Sequence, residues 1–281
     1  MRAAPYWLSV PAFLLYGVLM AVPLAMTCLL SLDRFSATEG IVPAYSLANY
    51  AAVLADPYYQ QIYLRTLWIA LVTTVASLLI GTPEAWIISR LQPRWRGICL
   101  LAVLGPLLIS VVVRTLGWTI LLAREGLLNQ ALLGVGLVSR PVELLYTQTG
   151  IVIALVHVLV PFMVIAVWTA LQRLDPAGEM AALSLGASKA AVFFRIVLPQ
   201  IVPGVLSGSL IVFSLAASAF ATPALIGGRR LKVAATAIYD EYLFTLDWPT
   251  GAALAILLLA GVLAIVALWG RFLERRDRMR G

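Results

Sequence analysis

The sequence predicts an all-α integral membrane protein with about six transmembrane helices, and three observations support this prediction. Hydrophobic residues make up 62% of the chain and charged residues only 12%, whereas soluble domains carry about 25% charged residues. The mean hydropathy is +0.97. The apolar residues also lie in long uncharged runs, and about 20 such residues suffice for a helix to cross the hydrocarbon core.

Six uncharged runs are long enough to predict one span each. The first run, 3–32, is too long for the apolar part of a secretory signal and is interpreted as a retained helix. The second span continues past Glu84 and the third past Arg114. The predicted spans are 8–32, 66–89, 97–122, 149–171, 201–226 and 250–270, in one transmembrane domain over residues 1–281.

Basic residues predict how these spans are oriented. Six spans place both termini on one side, and that side holds 12 of the 20 Lys and Arg residues while the other loops hold 7. Arg114 lies within a span and is not counted. Because cytoplasmic loops carry the excess of Lys and Arg, both termini are expected in the cytoplasm. The positive residues flank apolar runs, so the net charge of +7 indicates a lipid bilayer rather than nucleic acid.

The cytoplasmic loop between spans four and five, residues 172–200, is the most unusual feature of this arrangement. Its pattern predicts two short helices. Asp175 can cap the first helix, and Gly186 can end it by adopting a positive φ. The second helix is expected over Ala187–Val197, stopped near Pro199. Such a hairpin on the cytoplasmic face would serve as a docking element.

The loop resembles the EAA loop of ABC importer permeases, which reads Glu-Ala-Ala, three residues, Gly, nine residues, Ile, one residue, Leu-Pro. Met180 stands where that family has Glu, and Glu179 lies one residue earlier. A one-residue offset turns a helical side chain by about 100°. The positions that match the family pattern are Ala181, Ala182, Gly186, Ile196, Leu198 and Pro199.

Most of the chain resembles the permeases of spermidine/putrescine-type importers, a family of binding-protein-dependent inner membrane components. The resemblance implies the type I, MetI-like permease fold and a substrate such as spermidine, putrescine or a related small organic cation. Related permeases carry iron, phosphonates or sulfate-like anions, which remain alternatives. The segments that carry the resemblance include Arg114-Thr115-Leu116-Gly117-Trp118, Leu159-Val160-Pro161-Phe162-Met163, Thr222-Pro223-Ala224-Leu225-Ile226-Gly227-Gly228 and Asp247-Trp248-Pro249.

The resemblance also implies partners. A second, similar permease would complete the translocation pathway, two ATPase subunits would each receive one EAA loop, and a periplasmic binding protein would deliver substrate. The chain itself has no G-x-x-x-x-G-K-[ST] phosphate loop and only two lysines, Lys189 and Lys232. ATP and magnesium are therefore expected on the partner ATPase, and no catalytic residue, metal site or cofactor is expected on this chain. The protein is expected in a bacterial inner membrane.

Two groups of residues are candidates for the substrate pathway. Arg114 is an intramembrane charge, which can be functional or can reach the periplasmic interface as an anchor; Trp118 lies one turn further on. The second group combines carboxylates with an aromatic side chain, which suits charge pairing and cation–π contact with ammonium groups, or an interfacial belt. It consists of Asp240, Glu241, Asp247 and Trp248.

Two further titratable groups lie within the predicted spans. Glu84 is expected to pair with Arg90 or to line a cavity, and His157, the one histidine, to bond to a neighbouring helix or to act as a pH-sensitive or substrate contact. A stand-alone secondary transporter would need coupling carboxylates near the midplane, but spans one, four, five and six contain no Asp or Glu. A membrane enzyme would need a nucleophile and base, and no credible set is found. The EAA-like loop favours the permease.

Overall fold

A computed structural model of the chain describes residues 10–228 and 230–278. Residues 8 and 9 of the first predicted span lie outside the described residues, as do Arg2, Arg229 and Arg280 of the charge count. The described chain is mostly helical, with one two-stranded antiparallel hairpin, β1 (Arg34–Ser36) and β2 (Gly40–Val42), in which Phe35 pairs with Ile41.

Within residues 10–228 and 230–278, five helices are long and apolar enough to cross a membrane, or six if one bent pair counts as a single span. The long helices are α1 (Val10–Leu30), α3 (Pro57–Ser89), α7 (Gln148–Leu171), α10 (Leu198–Ala217) and α13 (Trp248–Arg278). Shorter helices connect them: α2 (Ala48–Ala55), α4 (Pro93–Leu104), α5 (Val111–Leu122), α6 (Leu127–Gly134), α8 (Ala177–Ser184), α9 (Lys189–Val192), α11 (Ala221–Ile226) and α12 (Ala234–Asp240).

The region predicted as one helix over 97–122 is interrupted. A 3-10 turn, Gly105–Leu108, follows α4, and the two halves of the region are bent by 97°. The bend itself lies at Ile109 and Ser110, whose backbone is extended (ψ 138° and 131°) between the 3-10 turn and α5. A single uninterrupted helix over 97–122 is therefore not what this sequence forms.

The predicted fifth span, 201–226, is also divided. α10 ends at Ala217 and the separate helix α11 begins at Ala221. Two local features favour the break. The Ser218 hydroxyl donates 2.8 Å to the carbonyl of Ser214, which also accepts the Ser218 N–H at 3.2 Å, and such a shared carbonyl tends to bend a helix. Pro223 has no N–H with which to bond the carbonyl four residues earlier.

The described chain forms two compact units, and the first contains residues up to Tyr63 together with Ala234–Gly261. Asn49 ties α2 to the end of α1 by donating from Nδ2 to the carbonyls of Ser31 and Asp33, at 2.8 and 2.7 Å. A small apolar core joins the start of α3 to α12, with Ile62 and Ala237 buried. The 18 residues Phe13–Leu30 of α1 have no buried member, as expected of a helix that faces lipid or another subunit.

The second unit contains Leu64–Val233 and the residues from Val262 onward. Its main core lies where α7 packs against α10, with Met163, Val167, Ile201 and Val212 all fully buried. Small residues allow these two helices to approach closely, as is usual in membrane proteins. A Cβ added at Gly208 would lie 2.8 Å from the sulfur of Met163 and 3.0 Å from the Cβ of Ala166.

We expect Gly208→Val to destabilise the packing of α7 on α10 by roughly 1–3 kcal/mol, the usual range for overpacking a filled core. The measurement is the thermal unfolding midpoint of the purified chain in detergent. Gly261→Val is the matched control, since a Cβ there meets nothing within 4 Å. Equal midpoints for the two variants would contradict the close helix contact.

Candidate functional site

The loop over residues 172–200, which is predicted to be cytoplasmic, contains a helical hairpin, and Gly186 makes its turn. Gly186 has φ +84°, a left-handed conformation that favours glycine. The N–H of Gly186 bonds the Leu183 carbonyl, and the N–H of Ala187 bonds the Ala182 carbonyl, both at 3.0 Å. These two bonds form a Schellman motif, which satisfies the last carbonyls of α8 and fixes where the helix ends.

Both helices of the hairpin are capped by side chains. The Asp175 carboxylate accepts a 2.9 Å bond from the N–H of Ala177, the first residue of α8. The Ser188 hydroxyl accepts a 3.2 Å bond from the N–H of Ala191. The second helix therefore begins at Lys189, two residues later than predicted, because Ser188 is the better cap.

The prediction that the second helix stops near Pro199 was wrong. α9 continues through a π-helical turn, Phe193–Val197, directly into α10, so that Lys189–Ala217 is one apolar helix of 29 residues. The N–H of Leu198 bonds the carbonyl of Phe193, five residues back. A wider turn of this kind accommodates the missing N–H of Pro199, which lies in the first turn of α10 where proline is tolerated.

An ion pair holds the hairpin against the rest of its unit. Nη2 of Arg90, in the turn after α3, donates to both carboxylate oxygens of Glu179, with 2.5 Å to Oε1. Glu179 is buried and the Arg90 side chain is 46% exposed. The Arg90 guanidinium also lies 5.8 Å from the centre of the Trp86 ring, and Trp86 packs on Phe193. Arg90 is thus paired with Glu179 rather than with Glu84.

Glu179 and Met180, which are adjacent in sequence, lie on different faces of α8, one buried and one exposed. Glu179 faces the ion pair, whereas Met180 is 59% exposed and Leu185, at the end of the helix, is 89% exposed. Among the remaining motif positions, Ala181 and Gly186 are exposed, and Ala182, Ile196, Leu198 and Pro199 are half-buried. The exposed surface offers a partner apolar side chains and an open glycine, because nothing lies within 4 Å of a Cβ placed at Gly186.

Arg114 is held by the backbone just before its own helix. It is buried at the start of α5, and Nη1 donates to the carbonyl of Pro106 in the turn that precedes the helix. This carbonyl also accepts the N–H of Ile109 at 3.4 Å, so the guanidinium adds a second, charged partner where the break removes the bond that a continuous helix would make. One turn further on, Trp118 Nε1 donates to His157 Nδ1 on α7 at 3.2 Å.

The carboxylate and aromatic group lies in the other unit. Glu241 Oε1 accepts a 2.8 Å bond from the Tyr59 hydroxyl, and Oε2 accepts a 2.5 Å bond from the Thr245 hydroxyl. Asp247 Oδ1 accepts from the Thr250 N–H at 3.0 Å and so caps α13. Asp240 is half-buried at the end of α12.

Aromatic side chains surround these carboxylates. The Trp248 ring lies 6.4 Å from that of Tyr242, and Trp248 Nε1 donates to the Tyr242 carbonyl at 3.1 Å. Burial raises the pKa of the Tyr242 phenol, which keeps that hydroxyl neutral near pH 7. Glu241 is the carboxylate placed to meet a cation here, since its oxygens accept bonds from the uncharged hydroxyls of Tyr59 and Thr245, whereas Asp247 has a structural role as a cap.

Across residues 10–228 and 230–278, no three His, Cys, Asp or Glu side chains are grouped closely enough to hold a metal ion. Arg114 and Trp118 belong to one unit and the group from Asp240 to Trp248 to the other. Sequence reasoning missed the Arg90–Glu179 pair and the Trp118–His157 bond, since neither partner lies near the other along the chain.

Comparison with known proteins gives consistent matches. Residues 101–278 match the family described as binding-protein-dependent transport system inner membrane component. The chain is 35% identical over 214 residues to the spermidine/putrescine transport system permease protein PotB of Escherichia coli (strain K12), covering 76% of this chain and 78% of that one. PotB of Salmonella typhimurium (strain SL1344) is also 35% identical, with 76% and 74% covered.

A solved structure shares the fold. The crystal structure of a bacterial alginate ABC transporter in complex with an alginate pentasaccharide-bound periplasmic protein contains a chain that superimposes with a TM-score of 0.75 at 20% identity. The superposition covers 96% of this chain and 93% of that one.

We expect Glu179→Ala to loosen α8, because Arg90 then loses its partner. The half-exposed position of Arg90 limits the cost to about 1 kcal/mol, or roughly fivefold faster amide exchange over residues 177–184. The exchange rate over this segment is measured by hydrogen–deuterium exchange with mass spectrometry. Met180→Ala, at the exposed neighbouring position, is the control and should leave the rate unchanged; the same rate in both variants would show that the ion pair does not hold the helix.

Proposed function

Since the chain belongs to the family of binding-protein-dependent transport system inner membrane components, we propose that it is one of two permease subunits in a bacterial importer of spermidine, putrescine or a related small organic cation. It contributes half of the translocation pathway and carries out no chemistry of its own. The observation that carries the proposal is the exposed cytoplasmic hairpin, closed by Gly186 and held by the Arg90–Glu179 pair.

The hairpin is the coupling element in this proposal. Docking onto an ATPase needs a surface that is exposed, apolar and rigid. Met180 and Leu185 supply the apolar contact, and the capped helices with their Schellman turn supply the rigidity. The family's usual Glu is replaced by Met180, so contact with the ATPase rests on apolar packing, while Glu179 stabilises the loop from within.

The partners follow from this role. Two ATPase subunits bind ATP and magnesium, one beneath each permease, and closure of the ATPases switches the permease pair between inward-facing and outward-facing states. A second, similar permease completes the pathway. A periplasmic binding protein delivers substrate, as in the related alginate transporter that was solved with its periplasmic protein. The chain resides in the inner membrane with both termini in the cytoplasm, in keeping with the bias of Lys and Arg.

Two observations support the choice of substrate. The chain is 35% identical over 76% of its length to permease proteins named for spermidine and putrescine transport. In addition, the Glu241 carboxylate lies among Tyr59, Tyr242 and Trp248, a combination that binds ammonium groups by charge pairing and by cation–π contact. Iron, phosphonates and sulfate-like anions are the competing solutes.

The coupling role predicts that Gly186→Trp abolishes the stimulation of ATP hydrolysis by loaded binding protein in the importer assembled in lipid nanodiscs. A bulky side chain at the open turn blocks docking, and we expect at least a roughly tenfold loss, as when a central contact of an interface is lost. Co-purification of the ATPase should fall in parallel.

Two controls separate docking from backbone strain. Gly186→Asn keeps a small residue that tolerates positive φ, and it should retain stimulation. Gly136→Trp places the same side chain at another glycine of positive φ, since φ is +73° at Gly136 and +84° at Gly186. A Cβ at either position has nothing within 4 Å. The Gly136→Trp importer should also retain stimulation of ATP hydrolysis. Undiminished stimulation in Gly186→Trp would remove the hairpin from the coupling step.

The substrate assignment is tested with proteoliposomes that contain the whole importer and its binding protein. We expect ATP-dependent uptake of labelled spermidine or putrescine, and none of sulfate, phosphonate or ferric iron. The carboxylates named above attract cations and repel anions, which is the physical reason for that order. Uptake of an anion with no uptake of polyamine would reject the polyamine assignment and leave the permease role in place.

A further inference from the structure

A cavity of about 330 Å³ lies between α3, the α4–α5 break and α7. Its polar side chains are Glu84 and His157, and its remaining walls are apolar, with Ile80, Pro106 and Val160 among them. The volume is at the lower end of the range for small-molecule sites. Such a cavity suits a short alkyl chain that carries one charged group.

Glu84 is the one carboxylate in the sequence of the five candidate spans and of α4 and α5. Its carboxylate forms no hydrogen bond or ion pair with any residue in the described ranges, and the nearby Arg90 is engaged by Glu179. A carboxylate within a membrane is costly unless it faces water, a cation or another protein group. Glu84 therefore needs a counter-ion that this chain does not provide.

The packing of α3 on α7 directs Glu84 into the cavity. Gly81 lies one turn before Glu84 on the same side of α3, and a Cβ added at Gly81 would be 2.9 Å from Cγ of Met163 and 3.5 Å from the carbonyl of Val160. This close approach fixes the two helices against each other. As a result, Glu84 on α3 and His157 on α7 line the same space.

The hydrogen bond from Trp118 determines what His157 contributes. Since Trp118 Nε1 donates to His157 Nδ1, Nδ1 carries no proton and the ring is uncharged in this arrangement. The ring is exposed in the isolated chain and lies nine residues into the 24-residue helix α7, about 14 Å from its start. A polar ring at that depth avoids lipid when it faces a pathway or a partner subunit.

Arg114, the positive charge of this region, is not among the residues that line this cavity, although it contacts one of them. Its guanidinium donates to the carbonyl of Pro106, and it lines a different cavity, together with Phe162 and Thr222. Glu84 is the charged side chain among the residues that line the cavity itself, and its negative charge favours a cation over an anion at that wall.

We propose that the Glu84 cavity is a transit site for an alkylammonium group of the transported substrate, with the Glu84 carboxylate as its counter-ion and the apolar walls in contact with the methylene chain. The inference rests on the proposed function, and it assigns selectivity for cations to the membrane subunit as well as to the binding protein. A single carboxylate binds an ammonium group weakly enough for release, which a transport pathway requires.

The test is uptake of labelled putrescine and spermidine by the complete importer in proteoliposomes, measured beside ATP hydrolysis stimulated by loaded binding protein. We expect Glu84→Gln to lower uptake roughly fivefold or more, the scale for loss of a half-exposed charge partner, while stimulated hydrolysis stays within about twofold of wild type. Glu84→Asp should restore part of the uptake. Glu125→Gln, at an exposed carboxylate between α5 and α6, is the matched control.

A second pair of variants keeps the test decisive if Glu84→Gln fails to assemble, which the loss of stimulated hydrolysis would reveal. His157→Lys adds a positive charge to the cavity wall at an exposed position. It should lower polyamine uptake roughly tenfold further than the uncharged His157→Gln, since the added charge repels the ammonium group.

The outcomes separate the two proposals. Wild-type uptake of polyamine that is lost in Glu84→Gln and kept in Glu125→Gln supports the transit site. Uptake that is equal in wild type, Glu84→Gln and His157→Lys overturns the transit site while the polyamine importer stands. A wild-type importer that carries no polyamine overturns the proposed function, and the transit site with it.

Discussion

Hydrocarbon offers no hydrogen bonds, so every polar group that enters the bilayer must find its partner within protein. That constraint accounts for much of this structure. At the break between α4 and α5 the carbonyl of Pro106 accepts a long 3.4 Å bond from the Ile109 N–H, and buried Arg114 supplies a second donor. Trp118 and His157 satisfy each other across two helices. Where the chain has no partner to offer, as at Glu84, the unmet requirement indicates a cavity, a second subunit or a passing cation.

The long helices could be predicted from the sequence because their signal is local: about 20 apolar residues in a row form a helix in lipid whatever they pack against. Gly186 could be predicted for the same reason, since a glycine between two capped helical segments needs only its own backbone freedom. Prolines were harder to interpret. At Pro199 the preceding π turn lets the helix continue. Pro106 lies in a 3-10 turn just before a sharp bend. The residue type is the same in both places, so the neighbouring turns decide whether the helix continues.

Side-chain partners could not be predicted, because they depend on which helices meet. Glu179 and Arg90 are separated by 89 positions, and nothing in the sequence ranked Arg90 above other bases as the partner of Glu179. The pattern did identify Glu179 and Met180 as a departure from the family motif. The structure explains how that departure is accommodated: the carboxylate turns inward and the exposed position becomes apolar. The partners of the candidate pathway residues could not be predicted either: Glu241 accepts bonds from hydroxyl groups, and Asp247 caps a helix.

The continuity of the helix from Lys189 to Ala217 has a mechanical consequence. This helix packs most closely on α7 at Gly204 and Gly208, and a movement of the whole helix would pivot about that contact. The arm from Lys189 to Gly204 is about 22 Å long and the arm from Gly208 to Ala217 about 14 Å, at 1.5 Å per residue. If the helix moved as one body, a displacement of the hairpin would appear at the far end in the opposite direction and reduced to roughly two thirds. The π turn and Pro203 both lie on the hairpin side of the contact, and they are the points at which the helix can bend and absorb part of such a movement.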